Sequence, residues 1–445
     1  MAFLFIRFVA MIATADLYRI YLENPSICID SRNLRKGDLF FALKGDHFNG
    51  NLYAVQALEK GAVYSIVDEE ISHTAYPERL LRVNDVLSSL QALAGYHRNQ
   101  FSIPFIAITG SNGKTTTKEL IHAVLSEKYT TYTTEGNLNN HIGIPLTLLK
   151  IKKNAEIAIV EMGANHLQEI AGYCAYTRPT HGVITNCGKA HLEGFGSIEG
   201  VRKGKGELYD YLRDHGGTAF VMWDYDYLQE MSKGIPEIVR YGTTHADVTG
   251  VEESAMPYLL VRLTGGVHLD NIQTRLTGNY NLPNVLAAVT IANYFNVDPA
   301  AIKKGIEKYT PSNSRSQLVS AGTNTIVLDA YNANPSSMKL AIDNFIQYPA
   351  EDKVLLLGAM AELGSSSLTE HDQIIRQIGT SDWKAVILVG GDFLKIKHPY
   401  LKFPTADEAG KWLASHTFQN TAFLLKGSRS MQMEKVVESL IQSKK

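Results

Sequence analysis

Residues 109–117 read Thr-Gly-Ser-Asn-Gly-Lys-Thr-Thr-Thr, a pattern suited to holding phosphates. The apolar run Phe105-Ile-Ala-Ile-Thr109 leads in like a buried strand. From Lys114 onward, Leu120, Ile121, Val124 and Leu125 fall on one helical face. Strand, glycine turn and helix N-terminus aim backbone N–H groups at an anion, and the helix dipole adds about half a positive charge. Gly110 and Gly113 carry no side chain to block that approach, and Ser111, Asn112 and Thr116 complete the candidate cradle. Lys114 is placed to reach the outer phosphates, and the Thr115 hydroxyl to ligate Mg²⁺. Only two residues separate Gly110 from Gly113-Lys114, fewer than in the common P-loop pattern. The segment predicts an ATP site; the alternative is an ordinary glycine-rich strand-to-helix turn.

The rest of the chain must position that loop. At 445 residues it is too long for one core of usual size, so two or three domains are expected. In region 1–102, Asp38–Leu43 and Val63–Val67 read as strands, with Leu52–Lys60 and Asp85–Asn99 as helices. Ser102-Ile-Pro104 is a boundary signal. Region 103–311 holds the loop and two more strands, Glu156–Glu161 and Gly182–Asn186. Region 312–445 offers strands at Thr325–Asp329, Lys353–Leu357, Ala385–Val389 and Thr421–Leu425, and a final helix over Met431–Ile441. Short apolar strands alternating with helices predict an α/β architecture of mainly parallel sheets covered on both faces.

Composition narrows the partners. Forty-three basic against 45 acidic residues leave a formal charge of −2, with no global basic field for nucleic acid or an anionic membrane. Cys28, Cys174 and Cys187 fit neither a disulfide framework nor a zinc pattern, which points to a reducing, cytoplasmic setting. The first twelve residues are apolar but interrupted by Arg7 and too short to span a membrane. We read residues 1–10 as an extension, with Met11 an adequate start.

Ligands of such sheets gather outside the carboxyl ends of the strands, which selects Glu161, segment 186–191 and Asp329. Glu161 ends an apolar strand and offers Mg²⁺ a hard oxygen donor; alone, it can equally cap the next helix. His191, just after a strand, is on its own merits more often a packing or solvent-facing residue.

The segments TGSNGKTTTKE (109–119), EGNLNNHIGIPLTLL (135–149), EMGANH (161–166), AHLEGFGSIEGV (190–201), GKGEL (204–208), GNYNLPNVLAA (278–288), DAYNANPSSM (329–338) and KGSRSMQMEKVV (426–437) resemble, in order, the Mur ligases of peptidoglycan synthesis. Shorter motifs such as GKTT are shared with folylpolyglutamate synthetases. The resemblance implies three α/β domains: an N-terminal UDP-substrate domain (1–102), a central P-loop-type ATPase domain (103–311) and a C-terminal Rossmann-like domain (312–445). AHLEGFGS, YNANP and KGSRSM look most like the member that joins UDP-N-acetylmuramoyl-tripeptide to D-alanyl-D-alanine.

The same resemblance implies a reaction and a set of residue roles. An acyl phosphate forms at the peptide carboxylate with release of ADP, and the dipeptide amine then displaces phosphate. By the family pattern, Lys114 contacts ATP; Thr115 helps hold one Mg²⁺, and Glu161 and His191 a second. Lys205 matches a lysine carried as a carbamate, a carboxylate-like aid to metal binding; by itself it is a solvated lysine beside Arg202 and Lys203. Asn281 and Asn284 match adenine-side positions, although Asn281 also suits a helix N-cap. Arg315 and Asp329 match residues that reach phosphate and ribose. By the same likeness, Ser31 and Arg32 are candidate UDP contacts, Asn137, Asn139 and Asn140 face substrate near the reaction centre, and Asn332, Asn334 and Ser337 orient the dipeptide. Relatives often carry aspartate where this chain has Ala359, so that position receives no role. A monomer is expected, with neither nucleic acid nor stable membrane insertion. The competing readings are another Mur-superfamily ligase, either the tripeptide synthetase or a folylpolyglutamate synthetase, and a nucleotide-dependent switch.

Overall fold

A computed structural model describes residues 11–72, 74–312 and 314–437. The expected extension 1–10 lies outside them. The chain forms two compact units. The first comprises the described residues up to Phe105, Tyr132–Met162 and Gly172–Pro179; the second comprises Ile106–Thr131, Gly163–Ala171 and the described residues from Thr180 onward.

The first unit carries a four-stranded parallel sheet in the order Ile27–Cys28, Leu39–Phe41, Tyr64–Val67, Leu80–Arg82. Phe40, Ala42, Ala54, Ala57, Leu58, Ala62 and Val67 form one of its core clusters. The helix Val86–Arg98 starts where Asp85 accepts a hydrogen bond from the Ser88 N–H, a side-chain N-cap. At its other end Arg98 is buried, donating to the Phe101, Thr177 and Arg178 carbonyls, which ties segment 172–179 to this unit.

The second unit contains two sheets. In one, strands Phe105–Thr109, His181–Ile184, Thr218–Met222, Glu237–Gly242 and Val248–Ser254 run parallel in that order. Leu260–Gly265 and Ile272–Gln273 extend it antiparallel. The strands from 218 to 273 are not among those expected from the sequence. Outer ones such as Glu237–Gly242 are only partly buried, so their side chains lack the continuous apolar run that marks a central parallel strand.

The other sheet has the order Gln317–Ala321, Asn324–Asp329, Thr421–Lys426, Asp352–Gly358, Ala385–Val389, Leu401–Phe403, parallel except for the first pair. Successive residues point to opposite faces. Val327, Leu355, Leu388 and Leu424 join one core with helices Pro335–Ile346 and Ser367–Ile378, while Ile326, Leu356, Ile387 and Phe423 join another with Ala406–Ala414. The carboxyl ends of its central strands deliver Asp329, Gly358 and Lys426.

One expected element is corrected. The final helix does not start at Met431: Arg429–Met431 is a 3₁₀ turn, Gln432 adopts a left-handed conformation, and helix begins at 434. Positive φ at Gln432 breaks helical continuity. Residues 438–441 of that expected helix lie outside the described residues.

Candidate active site

The phosphate loop is shaped by its neighbour strand. Gly110 has φ +143°, and a Cβ there would lie 2.0 Å from Thr185 Oγ1; Gly113 has φ +80°, and its Cβ would lie 2.6 Å from Asn284 Oδ1. Both positions require glycine. Asn112 donates its N–H to Asn186 Oδ1 (3.1 Å), while its carbonyl accepts from Asn186 Nδ2 (3.0 Å) and Thr185 Oγ1 (2.6 Å). Ser111 Oγ donates to the Gly188 carbonyl at 2.8 Å. Lys114 opens the helix Lys114–Leu125 and folds back, with Nζ 2.6 Å from the Gly110 carbonyl. The loop is thus a preformed turn whose lysine sits at its mouth.

Asn281 occupies the N-cap position of helix Leu282–Tyr294 but makes no side-chain cap bond. Its Nδ2 donates instead to the Thr277 carbonyl (2.8 Å) and Ser316 Oγ (3.3 Å), and its Oδ1 accepts from Asn284 Nδ2 (2.9 Å). Asn284 Oδ1 accepts from Thr117 Oγ1 on the loop helix at 3.0 Å. Ser316 N–H reaches Asp329 Oδ1 (3.3 Å), and Lys426 Nζ, itself buried, stands 2.6 Å from Asp329 Oδ2. One chain of polar contacts therefore joins the loop helix, both asparagines, Asp329 and the Lys426 segment. The Arg315 guanidinium lies above the Tyr331 ring, 3.5 Å from its centroid.

Lys205 lies on the helix Ile198–Asp214, capped by Ser197, on the stripe shared with Val201, Leu208 and Leu212. That spacing buries it: 1% of the residue is exposed. Nζ donates to the Ala164 carbonyl at 2.9 Å, and the Phe195 ring lies 5.2 Å away. Burial, reinforced by the Lys114 charge, pulls its pKa down to about 7. Glu207 fixes the facing segment by accepting from the Gln168 and Ala171 N–H groups. His191 has φ +52°, and its Nδ1 stands 2.5 Å from Glu362 Oε2.

In the first unit Glu161 is buried at the end of strand Ile157–Glu161 and accepts from Asn139 Nδ2 at 2.8 Å. Asn140 Oδ1 instead caps the turn into helix Gly143–Leu149, accepting from Ile142 and Gly143 N–H groups. Asn137 contributes its carbonyl to a turn with Asn139. Ser31 is buried and its carbonyl accepts from Lys60 Nζ, whereas exposed Arg32 is forked onto Asp30, whose carboxyl it draws down to about 2. Asn334 and Ser337 form a capping box for helix Pro335–Ile346, and Asn332 Oδ1 accepts from the Ala333 N–H. Ala359 is buried; its carbonyl accepts from both N–H and Oγ of Ser428.

Among the described residues no group of three or more His, Cys, Asp and Glu forms a metal cage. Taken singly, the Thr115 hydroxyl and the Glu161 carboxylate are hard oxygen donors of the kind that Mg²⁺ takes.

Thr185, Asn186, Lys189, Glu362 and Glu370 are contributors that residue-by-residue reading did not single out. Lys189 pairs with buried Glu370 at 2.6 Å. The strand-end rule that selected segment 186–191 also reaches Glu362, four residues after strand Asp352–Gly358. Nothing in the sequence pairs it with His191.

Loop, buried lysine and three α/β segments define an ATP-dependent ligase architecture, and comparison places it: the chain belongs to the Mur ligase family. Residues 25–99 match the Mur ligase family, catalytic domain, 108–292 the Mur ligase middle domain, and 314–429 the Mur ligase, glutamate ligase domain. The chain is 32% identical to the UDP-N-acetylmuramoyl-tripeptide--D-alanyl-D-alanine ligase of Bacillus subtilis, over 96% of this chain and 97% of that one. The crystal structure of MurF from Acinetobacter baumannii superposes with a TM-score of 0.85 at 32% identity, covering 94% and 93% of the two chains. MurF ligase from Thermotoga maritima in complex with ADP gives 0.84 at 26% identity, covering 95% and 98%.

Proposed function

We propose that this chain joins D-alanyl-D-alanine to UDP-N-acetylmuramoyl-tripeptide at the expense of ATP, forming the pentapeptide precursor of peptidoglycan. The observation that carries this reading is a hydrogen bond of 2.7 Å from Asn334 Nδ2 to Asn112 Oδ1. It joins the ATP loop to the segment that resembles the dipeptide-binding region of the D-alanyl-D-alanine-adding relatives.

The chemistry needs cations where charge develops, because a carboxylate must approach a triphosphate. Backbone N–H groups at the start of helix Lys114–Leu125 and the Lys114 ammonium bind and orient the phosphates. Thr115 would help hold one Mg²⁺, and Glu161, His191 and carbamylated Lys205 a second; the ions would supply positive charge to offset that of the phosphates and the acceptor carboxylate. A lysine with a pKa near 7 presents much neutral amine at physiological pH, the form that reacts with CO₂. The tripeptide carboxylate attacks the γ-phosphorus, the bond to ADP breaks, and an acyl phosphate results. The dipeptide amine then adds to that carbonyl, loses a proton, and expels phosphate.

Ser31 and Arg32 are assigned to UDP, Asn137, Asn139 and Asn140 to the acceptor side, and Asn332, Asn334 and Ser337 to the dipeptide. Asn281, Asn284, Arg315 and Asp329 are assigned to the nucleotide. We take residues 1–102, 103–311 and 312–445 as the three domains of a cytoplasmic monomer; no described helix is long and apolar enough to cross a membrane. Phosphate release should require both UDP-MurNAc-tripeptide and D-Ala-D-Ala. Equal turnover with a muramoyl dipeptide or a folate acceptor overturns the reading.

A further inference from the structure

His191 is held from two directions. Its own carbonyl accepts from the Gly194 and Phe195 N–H groups, which sets its backbone at the start of helix Leu192–Phe195. Its ring meets Glu362 in an ion-pair contact, with Nδ1 and Oε2 2.5 Å apart; Nδ1 is shielded from solvent and makes no aligned hydrogen bond among the described residues. The Glu362 carbonyl also accepts from the Glu193 N–H at 3.2 Å, so the contact is doubled by backbone. His191 and Glu362 both hold positive φ, +52° and +61°. Non-glycine residues keep such conformations only where their surroundings fix them, and they collect at functional sites.

We propose that Glu362 is a positioning residue for His191: it fixes the imidazole with its proton on Nδ1 and leaves the Nε2 lone pair for a metal ion. A neutral imidazole has one N–H, so the partner of one nitrogen decides what the other can do. Carboxylates commonly orient metal-binding histidines in this way. The consequence particular to this chain is that the orienting group comes from the C-terminal sheet. The histidine is therefore set only while the loop after Gly358 is docked against residues 191–193. The proposal rests on the reading of His191 as a metal ligand, and its test separates the two.

The first measurement is the side-chain ¹⁵N spectrum of His191 in histidine-labelled, ADP-bound enzyme. The second is Mn²⁺ binding in the presence of ADP, followed by the EPR signal of free Mn²⁺. Wild type should show the Nδ1–H tautomer. Glu362→Leu should lose that tautomer and bind the histidine-dependent Mn²⁺ roughly 10- to 100-fold more weakly. Glu362→Gln keeps an acceptor oxygen and should recover most of both. A wild-type proton on Nε2, or a leucine variant with unchanged tautomer and Mn²⁺ affinity, overturns the positioning role. His191→Ala with undiminished Mn²⁺ binding overturns the ligand reading itself.

Discussion

Asn334 ties a helix cap to the phosphate loop: its Oδ1 accepts from the Ser337 N–H at 2.9 Å, and its Nδ2 holds Asn112 Oδ1. Aspartate caps as well as asparagine but has no amide to donate. Asn334→Asp should therefore leave thermal stability near wild type and lower kcat/KM for ATP by about 10-fold or more, since a carboxylate now faces anionic substrate. Asn334→Ala should also lose about 1 kcal/mol of stability with the cap. Thermal melts beside steady-state kinetics check both; an Asp variant with unchanged ATP kinetics rules out the loop-holding role.

Lys114→Ala should lower turnover by ~10² or more, because the ammonium at the loop mouth stabilises charge on the transferring phosphoryl group. The helix Lys114–Leu125 buries Leu120, Ile121, Val124 and Leu125 rather than this side chain, so the fold should persist. Single-turnover ADP formation measures it. A near-wild-type rate would show that this loop is not the catalytic one.

Lys205→Ala should be severely impaired and partly restored by millimolar acetate or formate, which return a carboxylate to the vacated space. Lys205→Arg should stay inactive, because it brings charge of the wrong sign into a site that already depresses a cation. Activity of each variant with and without the added acid decides, and an active arginine variant excludes a carbamate.

His181 is packed among Phe220, Tyr294 and Phe295, and burial lowers its pKa to about 4. The unfolded chain, with an ordinary histidine near 6.5, binds more protons between those values. Stability must then fall as pH drops from about 6.5 toward 4, at up to about 1.4 kcal/mol per pH unit from this one group. His181→Phe should flatten that part of the profile. Urea midpoints at pH 7.5, 6 and 5 test it, and parallel acid slopes for both proteins would refute it.

Local chemistry was the legible part of this sequence. Phe105–Thr109 and Ala385–Val389 are strands over the residues expected, and the helix at Lys114 begins where the glycine turn ends. Apolar runs and caps act within a few residues, so they can be read in line. Lys205 was legible as a position but not as a buried group; only the stripe with Val201, Leu208 and Leu212 hinted at it. The partners of Glu161 and His191 were hidden, because Asn139 and Glu362 meet them through tertiary packing that leaves no periodic trace. Asn281 shows the converse: a sound local rule offered a cap as its alternative role, and the Thr277–Ser316 network claimed its side chain instead.

Arg98 closing onto the carbonyls of Thr177 and Arg178 bears on the order of events during synthesis. The first compact unit includes Tyr132–Met162 and Gly172–Pro179 as well as the early chain, so it cannot be completed when residue 105 leaves the ribosome. Elongation at roughly 5–20 residues per second leaves several seconds in which Arg98 and the apolar faces around it wait for their later segments. The strand and phosphate loop at 105–117 emerge within that interval, ahead of the residues that finish the earlier unit. Nascent chains arrested shortly after residue 105 should remain protease-sensitive across helix Val86–Arg98, and those arrested well beyond residue 179 should not.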